Sequence, residues 1–255
     1  MPDTFPAARS ALTVLKVLAA RGGPLRATTL ARELGIPRSS MYQLLGVLRD
    51  EGFVVHYPED RTYGLSDLVA QLGSAATASE RIARLARPLL ERLVASAPAP
   101  VVAHLAVLGG SDVVYAGRVQ GFRAPTTVSD VGVRLPAHLT ATGRAMLAAL
   151  PRAQVRALYP DRAALTHRNP AGPSTLAELD ALLAEARQRG WAHEDGDVTP
   201  EYGSVGAAAF DRNDYPAAAI GVTFLRSAVD DAARERLSAA TVETAAALTS
   251  RLRGR

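Results

Sequence analysis

Residues 27–48 read ATTLARELGIPRSSMYQLLGVL, and the reading of this stretch decides the N-terminal fold. Leu30, Ala31 and Leu34 share one helical face. Met41, Leu44, Leu45 and Leu48 recur at i, i+3, i+4 and i+7, an apolar stripe at helical period. Between the two patterns stands Gly35-Ile36-Pro37. Gly35 suits the position after a helix end, and Pro37 suits the first turn of the next helix. Two helices joined this closely form a helix-turn-helix, whose second helix often enters a DNA major groove. Opposite the stripe lie Ser39, Gln43 and Gly46, with Tyr42 beside them. Gln43 has the donor–acceptor pair that matches an adenine edge, and Arg38 suits phosphate or a guanine edge. Thr28, at the expected start of the preceding helix, and Ser40 complete the candidate DNA-contacting set on the helix pair.

The flanks extend the pattern. Phe53 to His56 and Thr62 to Leu65 are β-prone runs around a turn at Tyr57 to Arg61. A helix-turn-helix followed by such a hairpin is a winged helix. His56, Tyr57 and Arg61 are its candidate contacts to backbone or minor groove. Upstream, Ser10 is expected to cap a supporting helix that ends near Gly22-Gly23, with Met1 to Arg9 a loose tail.

Composition sets bounds on the rest. The chain has 255 residues and a formal net charge of +4, room for one large or two modest domains. Residues 1–65 carry eight Lys or Arg against six Asp or Glu, a net of +2. That weak footprint argues for site-specific binding by a dimer rather than general coating of nucleic acid. With no cysteine there is no disulfide framework, thiolate metal site or cysteine nucleophile. The N-terminus lacks an apolar leader and no run approaches a membrane span, so a soluble cytoplasmic protein without membrane contact is expected.

Ser66 begins a long helical stretch with two offset stripes, and residues 66–80 are read as a connecting helix. Pro88 to Ser96 then reads as the first helix of a second domain. Strand patterns follow at Val101 to Leu108, Asp112 to Gln120, Val205 to Phe210 and Ala217 to Leu225. Helices are expected from Thr140, over Leu176 to Arg189, and over Asp231 to Leu252. This mixture predicts an α+β domain.

From ALTVL at residues 11–15, through LARELGIPRSSMYQLLGVLRDEGFV and YGLSDLVAQLGS, the chain resembles the IclR-type bacterial transcriptional regulators. The resemblance continues through VVYAGRV, VGVRLPAHLTATGRAMLAAL and ARQRGWAHEDGDVTPEYGSVGAAAFDRNDYPAAAIGVTF, covering about residues 10–252. It implies three parts: a winged helix-turn-helix domain over 1–65, a connecting helix over 66–80 that packs against its mate in a dimer, and a GAF-like effector-binding and oligomerisation domain over 81–255. It further implies a homodimer or dimer of dimers on a pseudo-palindromic double-stranded operator, acting more often as repressor than activator, and a small-molecule effector, a carboxylate or an aromatic. Carried over by position, the implied effector contacts are Leu135, Ala141, Thr142, Glu194, Asp195, Asp197, Ser204, Gly221 and Thr223. Independently, the amides of Thr140 to Gly143 open a helix N-terminus, which favours an anion. The chain departs from the family pattern at Glu201, where Gly is usual, and at Gly221, where a hydroxyl is frequent. With Tyr202 and Gly206, these leave a bulky aromatic acid and a small keto acid both open.

The alternative is an enzyme or ligand-binding module whose winged helix serves protein–protein contact. Its tempting cluster is His193, Glu194, Asp195 and Asp197, with His104 or His138. Adjacent residues of an extended segment point to opposite faces, so the run does not converge on one ion. No GxSxG, Walker A, GxGxxG or HExxH occurs. His138 reads as a structural histidine, and Tyr115 and Trp191 as core or pocket wall. No catalytic residue, metal or cofactor is therefore expected.

Overall fold

In the computed structural model of the chain the described residues are 6–254, the backbone alone over 74–78. The chain divides into two compact units, up to Ala78 and from Ser79. The first contains α1 (Pro6–Arg21), β1 (Leu25–Arg26), α2 (Ala27–Leu34), α3 (Arg38–Asp50), β2 (Val54–Tyr57) and β3 (Thr62–Leu65). Val14, Leu30, Met41 and Leu45 are fully buried and centre one apolar core. Each such side chain contributes about 1.5–3 kcal/mol relative to exposure. Gly35 ends α2 at φ +65°, its N–H donating to Ala31 O, a left-handed cap that glycine adopts without Cβ strain.

Three local expectations shift. Ser10 does not cap α1 but lies inside it, because the helix already begins at Pro6; Met1 to Phe5 of the expected tail lie outside the described residues. α2 starts at Ala27 rather than Thr28, and its N-cap Arg26 makes no side-chain capping bond. Strand pairing fixes that start instead: Leu25 and Arg26 pair with Tyr63 and Thr62 of β3. Pro37 stands one residue ahead of α3, at its N-cap.

α4 (Asp67–Ala95) is one helix of 29 residues with Pro88 inside it, so Pro88 does not open a new helix. Proline removes one backbone donor. The surrounding turns bury Ala86, Leu89, Leu90 and Leu93, which holds the helix through the defect.

The second unit is built on six antiparallel strands: β4 (Val102–Gly109), β5 (Asp112–Gln120), β6 (Arg134–Pro136), β7 (Ala192–Asp195), β8 (Tyr202–Phe210) and β9 (Pro216–Leu225). Their order is β6-β5-β4-β9-β8-β7. The helices are α5 (Ala141–Ala149), α6 (Arg152–Leu158), α7 (Leu176–Arg189) and α8 (Asp231–Leu252). Strand alternation sorts the side chains into two cores. Ala103, Leu105, Val205, Ala207, Ile220 and Val222 join α8 and the C-terminal half of α4. Ala106, Val113, Ala192 and Ala219 join α5, α6 and α7.

On the second face α5 lies unusually close to the strands. A Cβ at Gly206 would come within 2.7 Å of Ala141 C and Thr142 N, and one at Gly143 within 2.2 Å of Ala137 O. Gly206 lets the helix start rest directly on the sheet, and Gly143 lets it close onto the turn at Ala137. That contact places the α5 N-terminus beside the space described next.

Candidate functional site

In the first unit, Thr28, Arg38, Ser39, Ser40, Tyr42, Gln43 and Arg61 are all exposed. α3 buries Met41, Leu45 and Leu48, and the helical period then turns Ser39, Tyr42 and Gln43 to solvent. Thr28, Arg32, Pro37 and Arg38 line one shallow groove between α2 and the start of α3. Arg21 and Arg49 are engaged by Glu33 and Asp50. Arg32, Arg38 and Arg61 have no such partner among the described residues. Arg61 sits at φ +53° in the turn of the hairpin. Unpaired guanidinium groups beside an exposed polar helix face are suited to phosphate and base edges.

The second unit holds a pocket of about 440 Å³, counted out to its open mouth, between the sheet, the α5 N-terminus and two loops. Seven of the nine residues carried over by resemblance line it: Leu135, Ala141, Thr142, Glu194, Ser204, Gly221 and Thr223. Asp195 and Asp197 do not. On β7, Glu194 faces the pocket and is buried, while Asp195 points to the other face of the sheet, 3.6 Å from Arg234 of α8. Asp197 is buried in an ion pair with Arg144. Arg144 also donates to His138 O at 2.7 Å and His193 O at 2.8 Å, so Asp197 fastens the β7–β8 loop to α5. The following residues, Val198 and Thr199, form part of the wall.

Tyr115, read from sequence as core or pocket wall, and Tyr202, read as bearing on ligand size, also line the pocket, as do His104, Thr127 and Ser129, which had not been assigned to it. The alternation of Ala103, His104 and Leu105 carried a signal for His104. Nothing local marks Thr127 and Ser129, which reach the pocket from the long β5–β6 connection. Tyr202 Oη donates to Thr126 O at 2.9 Å and ties that connection to β8.

The polar atoms form two sets. Ser129 Oγ donates to Thr127 Oγ1 at 3.1 Å and lies 3.2 Å from His104 Nε2. With its own proton spent on Thr127, Ser129 accepts from His104 Nε2–H, which makes Nδ1 the lone-pair nitrogen. Nδ1 is buried and has no partner; the Thr142 hydroxyl has the Tyr115 phenol as its neighbour. Burial first, and the Arg118 charge second, depress the His104 imidazole to about 3, so it is neutral. In the second set, Ser204 Oγ donates to Glu194 Oε1 at 2.6 Å and meets Thr223 Oγ1 at 2.9 Å. The Asp197 amide donates to Glu194 Oε2 at 3.0 Å. Burial, supported by the Asp197 charge, raises the Glu194 carboxyl to about 7 against the pull of these hydrogen bonds and Arg144. At the helix start, Thr140 Oγ1 accepts from Gly143 N–H and Thr140 O from Arg144 N–H. Of the other first-turn amides, that of Thr142 packs against Gly206 of β8.

Among the described residues no group of three or more His, Asp or Glu is placed to hold a metal. No described helix is long and apolar enough to cross a membrane.

A winged helix with an exposed polar face, joined to an α/β unit that holds a pocket, is the construction of a DNA-binding transcription regulator. Comparison with known proteins agrees. The model of the IclR helix-turn-helix domain matches residues 7–58, and that of the bacterial transcriptional regulator IclR C-terminal domain matches residues 74–250. The chain belongs to the IclR family of bacterial transcriptional regulators. It is similar to the HTH-type transcriptional regulator XynR of Escherichia coli, 29% identical over 87% of each chain. The solved Agobacterium tumefaciens repressor BlcR is 28% identical, with a TM-score of 0.61 over 98% of both chains. An IclR homologue of Microbacterium hydrocarbonoxydans, solved in complex with 4-hydroxybenzoate, shares the fold at 18% identity, with a TM-score of 0.64 over 98% of this chain and 100% of that one.

Proposed function

We propose that this protein is an effector-responsive repressor. Two copies set their α3 helices in successive major grooves of a pseudo-palindromic operator, and a small organic acid in the pocket changes operator affinity. The observation that carries the reading is the pocket's buried, unpartnered His104 Nδ1, beside the N-terminus of α5. Such an atom costs about 1–3 kcal/mol when left unmade, a cost that a bound ligand relieves. The repressor label draws on BlcR, and the acid draws on the homologue that holds 4-hydroxybenzoate. No catalytic role is assigned, in keeping with relatives that are named as regulators.

On this reading α3 contacts bases through Gln43 and phosphate through Arg38, with Ser39, Ser40, Tyr42, Thr28 and Arg61 at the margins. α4 has residues in both units, which makes it the candidate route for the response. The effector alters DNA affinity only by as much as it favours one arrangement of the dimer over another. The test is selection of sheared genomic fragments by the full-length protein at near-physiological salt. Enrichment of a few fragments that share an inverted repeat supports the reading, and uniform retention or none overturns it.

A further inference from the structure

Glu194 poses a difficulty for any acid-binding pocket, because a buried carboxylate in the wall repels a bound one. The hydroxyls beside it offer a resolution. When Glu194 is ionised, Ser204 spends its proton on Oε1, so the 2.9 Å contact requires Thr223 to donate to Ser204. Thr223 then turns only lone pairs to the pocket. When Glu194 is neutral, Oε2 still accepts from the Asp197 amide, so the proton sits on Oε1 and is donated to Ser204. Ser204 in turn donates to Thr223, whose own proton is released toward the pocket. One proton on Glu194 converts the pocket floor from acceptor to donor.

Building on the effector reading above, we propose that the Glu194–Ser204–Thr223 relay makes the pocket bind its organic acid together with one proton. The acid's carboxylate takes a hydrogen bond from Thr223 beside the N-terminus of α5, and no second negative charge remains beside it. The surroundings fit this exchange. Asp197 is neutralised by Arg144, His104 is uncharged, and burial keeps the Tyr115 phenol protonated. Asp195 and Arg234 pair on the other face of the sheet. Glu194 is thus the one group of the wall whose charge changes near neutral pH; burial has already raised it to about 7.

The test uses the full chain with benzoate, 4-hydroxybenzoate, lactate and pyruvate as probes. Calorimetry at pH 8 in two buffers of different ionisation enthalpy reads proton uptake, and 13C-glutamate NMR reads the Glu194 carboxyl, assigned by its loss in Glu194→Gln. The expected result is about one proton taken up per acid bound, with affinity weakening about tenfold per pH unit above the Glu194 midpoint. Glu194→Gln, a mimic of the neutral carboxyl, loses both the proton uptake and the pH slope. Ser204→Ala, which cuts the relay, weakens binding while Glu194 still titrates. Binding without proton uptake, the same pH slope in Glu194→Gln, or a Glu194 midpoint near 4.5 overturns the proposal. Absence of binding by all four acids overturns it too. The DNA-fragment selection does not involve the pocket, and it decides separately whether the regulator reading stands.

Discussion

The methyl group of Thr142 occupies the space that a side chain at Gly221 would need: a Cβ there would lie 2.5 Å from Thr142 Cγ2. Gly221 on β9 and Thr142 on α5 therefore determine together how closely the helix approaches the pocket floor. Gly221→Ala is expected to cost about 1–3 kcal/mol through overpacking. Adding Thr142→Ser removes the clashing methyl, keeps the hydroxyl and recovers most of that loss. Denaturant midpoints of the two singles and the double read the coupling. Additive effects would show that the contact is not shared.

The Arg144–Asp197 pair is nearly enclosed, its side chains 4% and 10% exposed. Arg144→Met leaves the Asp197 charge buried without a partner, and a loss of about 3–5 kcal/mol is expected. Asp197 also presents its amide to Glu194 and precedes Val198 and Thr199 of the pocket wall. Ligand binding should therefore fall more than the change in stability accounts for, as measured by calorimetry under conditions where the variant remains folded.

Two buried groups give the second unit opposing pH responses. Glu194 is raised from 4.5 to about 7, so between these values the folded chain keeps a proton that the unfolded chain releases. Its contribution is complete below 4.5 and is lost as pH rises through about 7, a change of roughly 3 kcal/mol. His104 is depressed from 6.5 to about 3, so its contribution is complete above 6.5 and is lost as pH falls toward 3. Their slopes partly cancel between 4.5 and 6.5. Glu194→Gln is expected to gain stability over the parent protein as pH rises from 5 to 8, read from urea midpoints across that range. A constant difference would contradict the burial argument for Glu194.

On the operator, Arg38→Ala is expected to weaken binding to all sequences alike and to reduce the salt dependence by about one unit. Gln43→Ala should instead relax preference at one base pair, at a cost of about 1–3 kcal/mol. Fluorescence anisotropy over a salt series, with operator variants, separates the two. Equal effects of both substitutions on every sequence would remove α3 as the base-contacting helix.

How far the sequence reaches can be judged from particular residues. The stripe of Met41, Leu45 and Leu48, the turn at Gly35 and the hairpin after Phe53 were legible because helical and strand periods are local properties. Strand alternation also separates Glu194 from Asp195, yet the resemblance carried both into the pocket, and the structure places only Glu194 there. β6, α6 and the pairing of β1 with β3 were not legible. β1 and β6 are two and three residues long, too short to establish a period, and their partners lie far along the chain.

The sequence by itself determined the winged helix, the α+β composition of the second unit and the family. It also marked seven of the residues that meet in the pocket. Tertiary structure alone decided what they do there. It carried α4 through Pro88, because buried leucines on the neighbouring turns outweigh one missing donor. It turned Asp197 from a candidate ligand contact into the partner of Arg144, 53 residues away. It set His104 against Ser129, fixing which ring nitrogen carries the proton. Above all it buried Glu194 next to Ser204 and Thr223, and the resulting desolvation sets the charge of that carboxyl. Desolvation depends on atoms from several strands and a helix, and no local pattern along the chain encodes it.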